Sequence, residues 1–131
     1  MSNSIHVLLA DDDLDDCDLF KTALTELPVN AHLGVIYNGD QLLVELNLES
    51  FQLPDVLFLD LNMPRKNGTE CLQVIKSTDR LKEIPVIIFS TSVPETLAKK
   101  LIELGAKACI RKPSTFQDLK GIILKTLQDL S

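Results

Sequence analysis

The sequence predicts an α/β protein built as a doubly wound three-layer sandwich, with five parallel strands covered by helices on both faces. Short aliphatic runs alternate regularly with longer segments of helical period, which is typical of repeated strand-helix units. The middle run, residues 55–60, is too continuously apolar to have a solvated face, as expected of a central parallel strand. Gly, Pro and Asn residues mark the boundaries between the runs.

Each predicted strand is a short apolar run bounded by turn-forming or charged residues. The strands are IHVLLA (5–10), AHLGVIY (31–37), DVLFLD (55–60), VIIFS (86–90) and KACIR (107–111). The second strand ends at the turn Asn38-Gly39, and Pro85 precedes the fourth. Asp60 closes the third strand.

One helix is predicted after each strand, from apolar residues at helical spacing. The first helix runs from about residue 14 to residue 27, where Pro28 stops it. The second and third helices carry the apolar residues Leu42, Leu43, Leu46, Leu72, Val74 and Ile75. Pro94 is predicted to start the fourth helix as a first-turn proline, and Gly105 to end it. The last helix extends from about residue 115 to residue 130.

Length and composition indicate one globular domain. The chain has 131 residues, of which 45% are hydrophobic and 24% charged, and the five units fill residues 1–131, so we expect no output domain. The net charge of −6 argues against direct binding to nucleic acid or a membrane surface. The N-terminal MSNSIHVLL has neither the basic segment of a secretory signal nor the length of a spanning helix, which predicts a cytoplasmic protein. Three widely spaced cysteines without a CxxC pair indicate neither a disulfide framework nor a zinc site.

Polar side chains follow the predicted strands at their carboxyl ends, where open parallel sheets bind ligands. These are Asp11 and Asp12 after the first strand, Asp60 after the third, Ser90 at the end of the fourth and Lys112 after the fifth. Three carboxylates brought together resist ionisation unless a cation shares them, which indicates a hard divalent ion; Mg²⁺ also accepts a substrate phosphate. Asp60 is then the candidate nucleophile for an acyl phosphate, with Lys112 and Ser90 neutralising or hydrogen-bonding the incoming oxygens.

Four strings, LLADDD, DVLFLDLNMPRKNG, IPVIIFSTS and GAKACIRKP, follow one another in this order along almost the whole chain. Together they resemble the receiver domains of bacterial response regulators, and in particular small single-domain, chemotaxis-regulator-like members similar to those partnered with bacterial phytochromes. The resemblance implies a flavodoxin-like sheet of order 2-1-3-4-5 and a two-component phosphorelay. The donor is then a sensor histidine kinase or a histidine phosphotransfer protein, and the signal leaves by contact with an effector protein that the sequence does not identify.

The resemblance also implies residue roles. Asp60 is the phosphoacceptor, Asp12 is a direct Mg²⁺ ligand, Asp11 acts on the metal through water, and the backbone carbonyl of Asn62 completes the metal set. Ser90 is the switch hydroxyl.

Further along the chain, Lys112 is the phosphate-binding cation, and its bond to Pro113 is expected to be cis. The sequence departs from the family where a switching aromatic residue is usual. Cys109 stands there, and its small side chain cannot swing as a ring does, whereas Ser90 and Thr91 keep the hydroxyl part of the coupling.

Other readings remain open from sequence. Asp13, Asp15, Asp16 and Asp18 are interpreted as helix-capping or solvated acids, because carboxylates favour the first turn of a helix. A phosphorylation-independent adaptor would keep the fold and use only its surface. A haloacid-dehalogenase-like phosphatase shares the strand-end aspartate and Mg²⁺, but it needs a second acid two residues later, where Asn62 stands. A flavin-binding protein is weaker still, because the loop after the first strand is acidic.

Overall fold

The computed structural model describes residues 4–130, and within them five strands alternate strictly with five helices. The strands are β1 (Ile5–Ala10), β2 (Ala31–Ile36), β3 (Val56–Leu59), β4 (Val86–Ser90) and β5 (Ala108–Arg111). The helices are α1 (Leu14–Glu26), α2 (Gly39–Leu46), α3 (Gly68–Ser77), α4 (Glu95–Glu103) and α5 (Phe116–Gln128). The predicted α/β class and element order are confirmed.

All four strand pairs are parallel, and the sheet order is β2-β1-β3-β4-β5, as the resemblance implied. The order reverses direction next to β1, which leaves the chain free to place helices on both faces. Every residue of β3 and of β4 is buried, as predicted for the continuously apolar third strand. The flavodoxin-like arrangement therefore places its most buried strands in the interior of the sheet.

The two faces of the sheet carry separate apolar clusters. Alternate residues of β1 point to opposite faces, so Leu8 packs with α2, α3 and α4 while Val7 packs with α1 and α5. On the α1/α5 face, the rings of Phe20, Phe58 and Phe89 meet edge to face, with centroids 4.9, 5.7 and 6.1 Å apart. This ring cluster joins α1 to the two central strands.

Among residues 4–130, no helix has the length and apolar character needed to cross a bilayer.

Polar side chains fix where most helices begin. The side chains of Asp13, Asn38, Asn67 and Thr115 each accept a hydrogen bond from a backbone N–H of the first turn. The prediction for Pro94 is wrong by one residue: α4 begins at Glu95, and Pro94 is the residue before it, whose carbonyl accepts the first helical hydrogen bond from Ala98. Gly105 lies just after α4 with φ of 116°, a conformation that glycine adopts without strain.

Candidate phosphoryl and metal site

The predicted site residues lie at one edge of the sheet because neighbouring strands end there together. Asp60 is the first residue after β3 rather than its last, and its N–H donates to the carbonyl of Ala10 at 3.0 Å. The N–H of Asp11 donates to Ile36 at 3.0 Å, and the N–H of Lys112 donates to Ser90 at 2.8 Å. These three residues are thus tied through their backbones to adjacent strands, which sets the spacing of their side chains.

Three carboxylates meet at this edge. Oxygens of Asp11, Asp12 and Asp60 all lie within 4.8 Å of one another, and the structure buries Asp11 and Asp60 while leaving Asp12 exposed. A single hard cation with oxygen ligands at roughly 2.1–2.5 Å can bridge a set of this size. The donor chemistry and the spacing therefore fit a divalent metal ion.

The raised pKa of Asp11 also fits a divalent metal ion at this site. Burial raises the pKa of Asp11 to about 6, against the lowering effects of Lys112 and of the N–H of Asp13, and the charge of Asp60 raises it further. The rise means that this carboxylate is not fully compensated by its protein neighbours. A divalent cation would supply the missing positive charge.

The carboxylate of Asp60 is oriented by contacts on both oxygens. Its Oδ1 accepts a hydrogen bond of 2.8 Å from the Ser90 hydroxyl and one of 3.3 Å from the N–H of Asn62. Its Oδ2 lies 3.5 Å from Nζ of Lys112. A buried carboxylate flanked by a hydroxyl and an ammonium has the partners that a phosphoryl acceptor needs.

The shortest contacts of Lys112 are with two carboxylates other than that of Asp60. Its Nζ lies 2.7 Å from Oδ2 of Asp11 and 2.7 Å from Oδ2 of Asp16. Burial alone lowers the pKa of Lys112, but the hydrogen bonds to these two carboxylates outweigh burial and raise the pKa above its ordinary value. The ammonium therefore stays charged within the site.

Asp16 is a site residue that the sequence analysis missed. It was grouped with the capping and solvated acids, an interpretation that holds for Asp13, whose side chain caps α1 by accepting from the N–H of Asp16 at 3.1 Å. Asp16 sits on the first turn of α1, above the carboxyl end of the sheet. The sequence signal available was its position five residues after Asp11, which alone does not distinguish a site residue from a solvated one.

Gly68, at the start of α3, is required by a close approach to the backbone of Asp60. A Cβ at this position would clash with the backbone oxygen of Asp60 and lie 2.8 Å from Cα of Leu61. The N–H of Gly68 donates to the carbonyl of Leu61 at 3.0 Å. The glycine thus lets α3 begin directly against the segment that carries Asp60.

The structure also shows the bond before Pro113 and the surroundings of Cys109. The bond from Lys112 to Pro113 was expected to be cis and is trans, because no cis peptide bond occurs among residues 4–130. The trans form is the one favoured by about 0.5–1 kcal/mol before proline, and it still delivers Nζ of Lys112 to the carboxylates. Cys109 is half-buried beside α4, where its Sγ donates to the carbonyl of Ala98 at 3.8 Å.

Comparison with known proteins finds a matching family and similar response regulators. The family described as "Response regulator receiver domain" matches residues 7–124. The response regulator Rcp1 of Synechocystis sp. is 30% identical over 117 residues, which cover 86% of this chain and 80% of that protein.

Solved structures of response regulators have a fold similar to that of this chain. The Mn²⁺-bound form of response regulator Rcp1 superimposes with a TM-score of 0.83 at 28% identity, covering 92% of this chain and 90% of that one. The phosphorylated cyanobacterial phytochrome response regulator RcpA superimposes with a TM-score of 0.86 at 29% identity, covering 95% of this chain and 91% of that one. One of these similar proteins is thus described as metal-bound and the other as phosphorylated.

Proposed function

This chain belongs to the family of response regulator receiver domains, and on that basis we propose that its Asp60 carboxylate accepts a phosphoryl group with the help of Mg²⁺. The observation that carries the proposal is the position of Asp60, which lies between the Ser90 hydroxyl and the Lys112 ammonium and beside two further carboxylates. Receiver domains of this family work with histidine kinases or phosphotransfer proteins, so the donor is a phosphohistidine.

The transfer exchanges one bond for another. A carboxylate oxygen of Asp60 attacks phosphorus and forms an O–P bond, while the P–N bond of the phosphohistidine breaks and its electron pair leaves with the imidazole, which takes up a proton. The Ser90 hydroxyl and Lys112 are close enough to Asp60 to donate hydrogen bonds to the transferred oxygens. No outside metabolite is turned over, so the protein is a signalling switch that catalyses its own modification.

The residues proposed to hold Mg²⁺ are Asp11, Asp12, Asp60 and the backbone carbonyl of Asn62. The acidic cluster and the Mn²⁺-bound Rcp1 structure support a divalent site in general, and Mg²⁺ is the choice that combines few carboxylates with a phosphate. When bound, the ion supplies positive charge to the phosphoryl oxygens. We also propose that Asn62 and Ser92, which flank the site, tune the rate at which the acyl phosphate hydrolyses.

The signal leaves by protein contact. A net charge of −6 disfavours direct binding to nucleic acid or to an anionic membrane. We place the protein in the cytoplasm because phosphohistidine donors are made from ATP there.

Incubation with acetyl phosphate and Mg²⁺, followed by intact mass measurement, tests the proposal. We expect the wild type to gain the mass of one phosphoryl group and the Asp60→Asn variant to gain none. The matched control is Asp40→Asn, which removes an exposed aspartate from the first turn of α2 and leaves modification unchanged. A chelator should prevent modification of the wild type and of Asp40→Asn.

Two outcomes contradict the proposal. A wild type that stays unmodified with Mg²⁺ present favours the adaptor, which uses the surface without phosphorylation. Steady turnover of p-nitrophenyl phosphate favours the phosphatase instead.

A further inference from the structure

The Lys112 ammonium lies closer to two neighbouring carboxylates than to the proposed nucleophile, to which it makes only a long contact. Its two contacts of 2.7 Å, to Asp11 and Asp16, have the length of charge-assisted hydrogen bonds, whereas the 3.5 Å separation from Oδ2 of Asp60 is longer than such a bond. An ammonium has three N–H donors. Two of the three are therefore used by carboxylates other than the phosphoacceptor.

The two partners of Lys112 differ in their relation to the metal site. Asp11 belongs to the cluster of three carboxylates that could share a cation, so a bound ion would compete for its charge. Asp16 lies outside that cluster and stays available to Lys112 whether or not an ion is present. The Lys112 side chain is 10% exposed, which leaves it few alternatives to these neighbours.

The position of Asp16 is fixed by the helix that carries it. Its N–H donates to the capping carboxylate of Asp13 at 3.1 Å, so the first turn of α1 holds the backbone in place. The contact to Lys112 joins residues 96 positions apart in the chain. Asp16 thus ties the segment after β5 to α1.

We propose, building on the proposed function, that Asp16 is a positioning residue that holds the Lys112 ammonium off Asp60. The Asp60 carboxylate is thereby kept open to the divalent cation and to phosphorus. Without Asp16, one N–H of a largely buried ammonium loses its acceptor. Oδ2 of Asp11 already accepts another N–H at 2.7 Å, so the acceptor that Lys112 can approach more closely is Oδ2 of Asp60 at 3.5 Å. Lys112 then closes onto Asp60 and competes with the metal.

Metal affinity gives the first test. Mg²⁺ titration by calorimetry is expected to show about tenfold weaker binding for Asp16→Ala, from the Coulomb gain when Lys112 closes to hydrogen-bond distance of Asp60 at an effective dielectric constant of about 20. Asp15→Ala is the matched control, since it removes an exposed acid from the same turn of α1 and should change binding less than about threefold.

A double variant separates positioning from charge. If Asp16 acts through Lys112, then Asp16→Ala has no further effect on metal affinity in a Lys112→Gln background. An equal loss of affinity in both backgrounds overturns the proposal, because it shows a general effect of charge. An unchanged affinity in Asp16→Ala alone overturns it as well.

A second readout needs neither metal nor phosphate. Crystal structures of the metal-free wild type and Asp16→Ala are expected to show the Nζ of Lys112 moving from 3.5 Å to hydrogen-bond distance of Asp60 Oδ2. An ammonium that keeps its separation, or turns to solvent, overturns the proposal. A wild type that binds no Mg²⁺ and takes no phosphate rejects the proposed function instead, and these two structures still decide the role of Asp16.

Discussion

The carboxyl edge of the sheet is built differently in its middle and at its β5 end. Every residue of β3 and β4 is buried, and these strands lead directly into Asp60 and Ser90. No residue of β5 is buried, and the neighbouring α4 buries only Leu101. Asp60 and Ser90 are therefore held by a close-packed interior, while Lys112 follows a strand that, like the adjoining helix α4, packs loosely.

A local change in structure is absorbed more easily on the β5 side than in the middle of the sheet. Segments with few buried apolar contacts open or shift at low free energy, whereas close-packed strands do not. Ser90 lies at the border between the two regions, since its hydroxyl contacts Asp60 and its carbonyl accepts the N–H of Lys112 after β5. We therefore expect a change at Asp60 to reach the loosely packed side through Ser90.

The largest expected effect tests the close packing of the middle strands. Phe58→Ala removes a fully buried ring of the phenylalanine cluster and should lower the free energy of unfolding by about 3–5 kcal/mol. Ile102→Ala, on the exposed side of α4, should cost less than about 0.5 kcal/mol. Urea denaturation followed by circular dichroism gives both values, and similar losses in the two variants would remove the contrast.

An intermediate effect is expected where α3 meets the backbone of Asp60. Gly68→Ala forces a Cβ against the backbone of Asp60 and should cost about 1–3 kcal/mol while weakening metal binding. Gly121→Ala is the matched control, because its Cβ meets nothing within 4 Å inside α5, and it should stabilise the protein by about 0.4–1 kcal/mol. Thermal unfolding and Mg²⁺ titration measure the pair. A Gly68→Ala protein as stable as the wild type would show that the segment carrying Asp60 yields easily.

The smallest effect is expected on the loosely packed side. Cys109 lines an open cleft of about 530 Å³ beside Ala98 and Ile102, so Cys109→Phe should cost less than about 1.5 kcal/mol. The same substitution at the fully buried Cys71 should cost about 3 kcal/mol or more. Urea midpoints of the two variants compare them directly. A large loss at Cys109 would mean that this side is packed as tightly as the middle.

Much of this arrangement follows from residue patterns. The alternation of apolar runs and amphipathic segments predicts a parallel sheet, and parallel strands bring their carboxyl ends together, so Asp11, Asp60 and Lys112 were expected at one edge. Asp16 was not, because its contact depends on the angle at which α1 leaves the sheet. The isomer of the bond before Pro113 was also mispredicted, since the two forms differ by only about 0.5–1 kcal/mol and tertiary context decides between them.

The phenylalanine cluster links Asp60 and Ser90 to the packing of the protein interior. Phe58 lies two residues before Asp60, Phe89 lies one residue before Ser90, and their rings meet edge to face with centroids 5.7 Å apart. The parallel pairing of β3 with β4 sets the offset of the two strands, and the ring contact adds packing between the same strands that carry the 2.8 Å hydrogen bond between the Ser90 hydroxyl and the Asp60 carboxylate. We therefore expect mild denaturant that loosens these rings to weaken this hydrogen bond, and with it the proposed phosphoryl uptake, before the helices begin to melt.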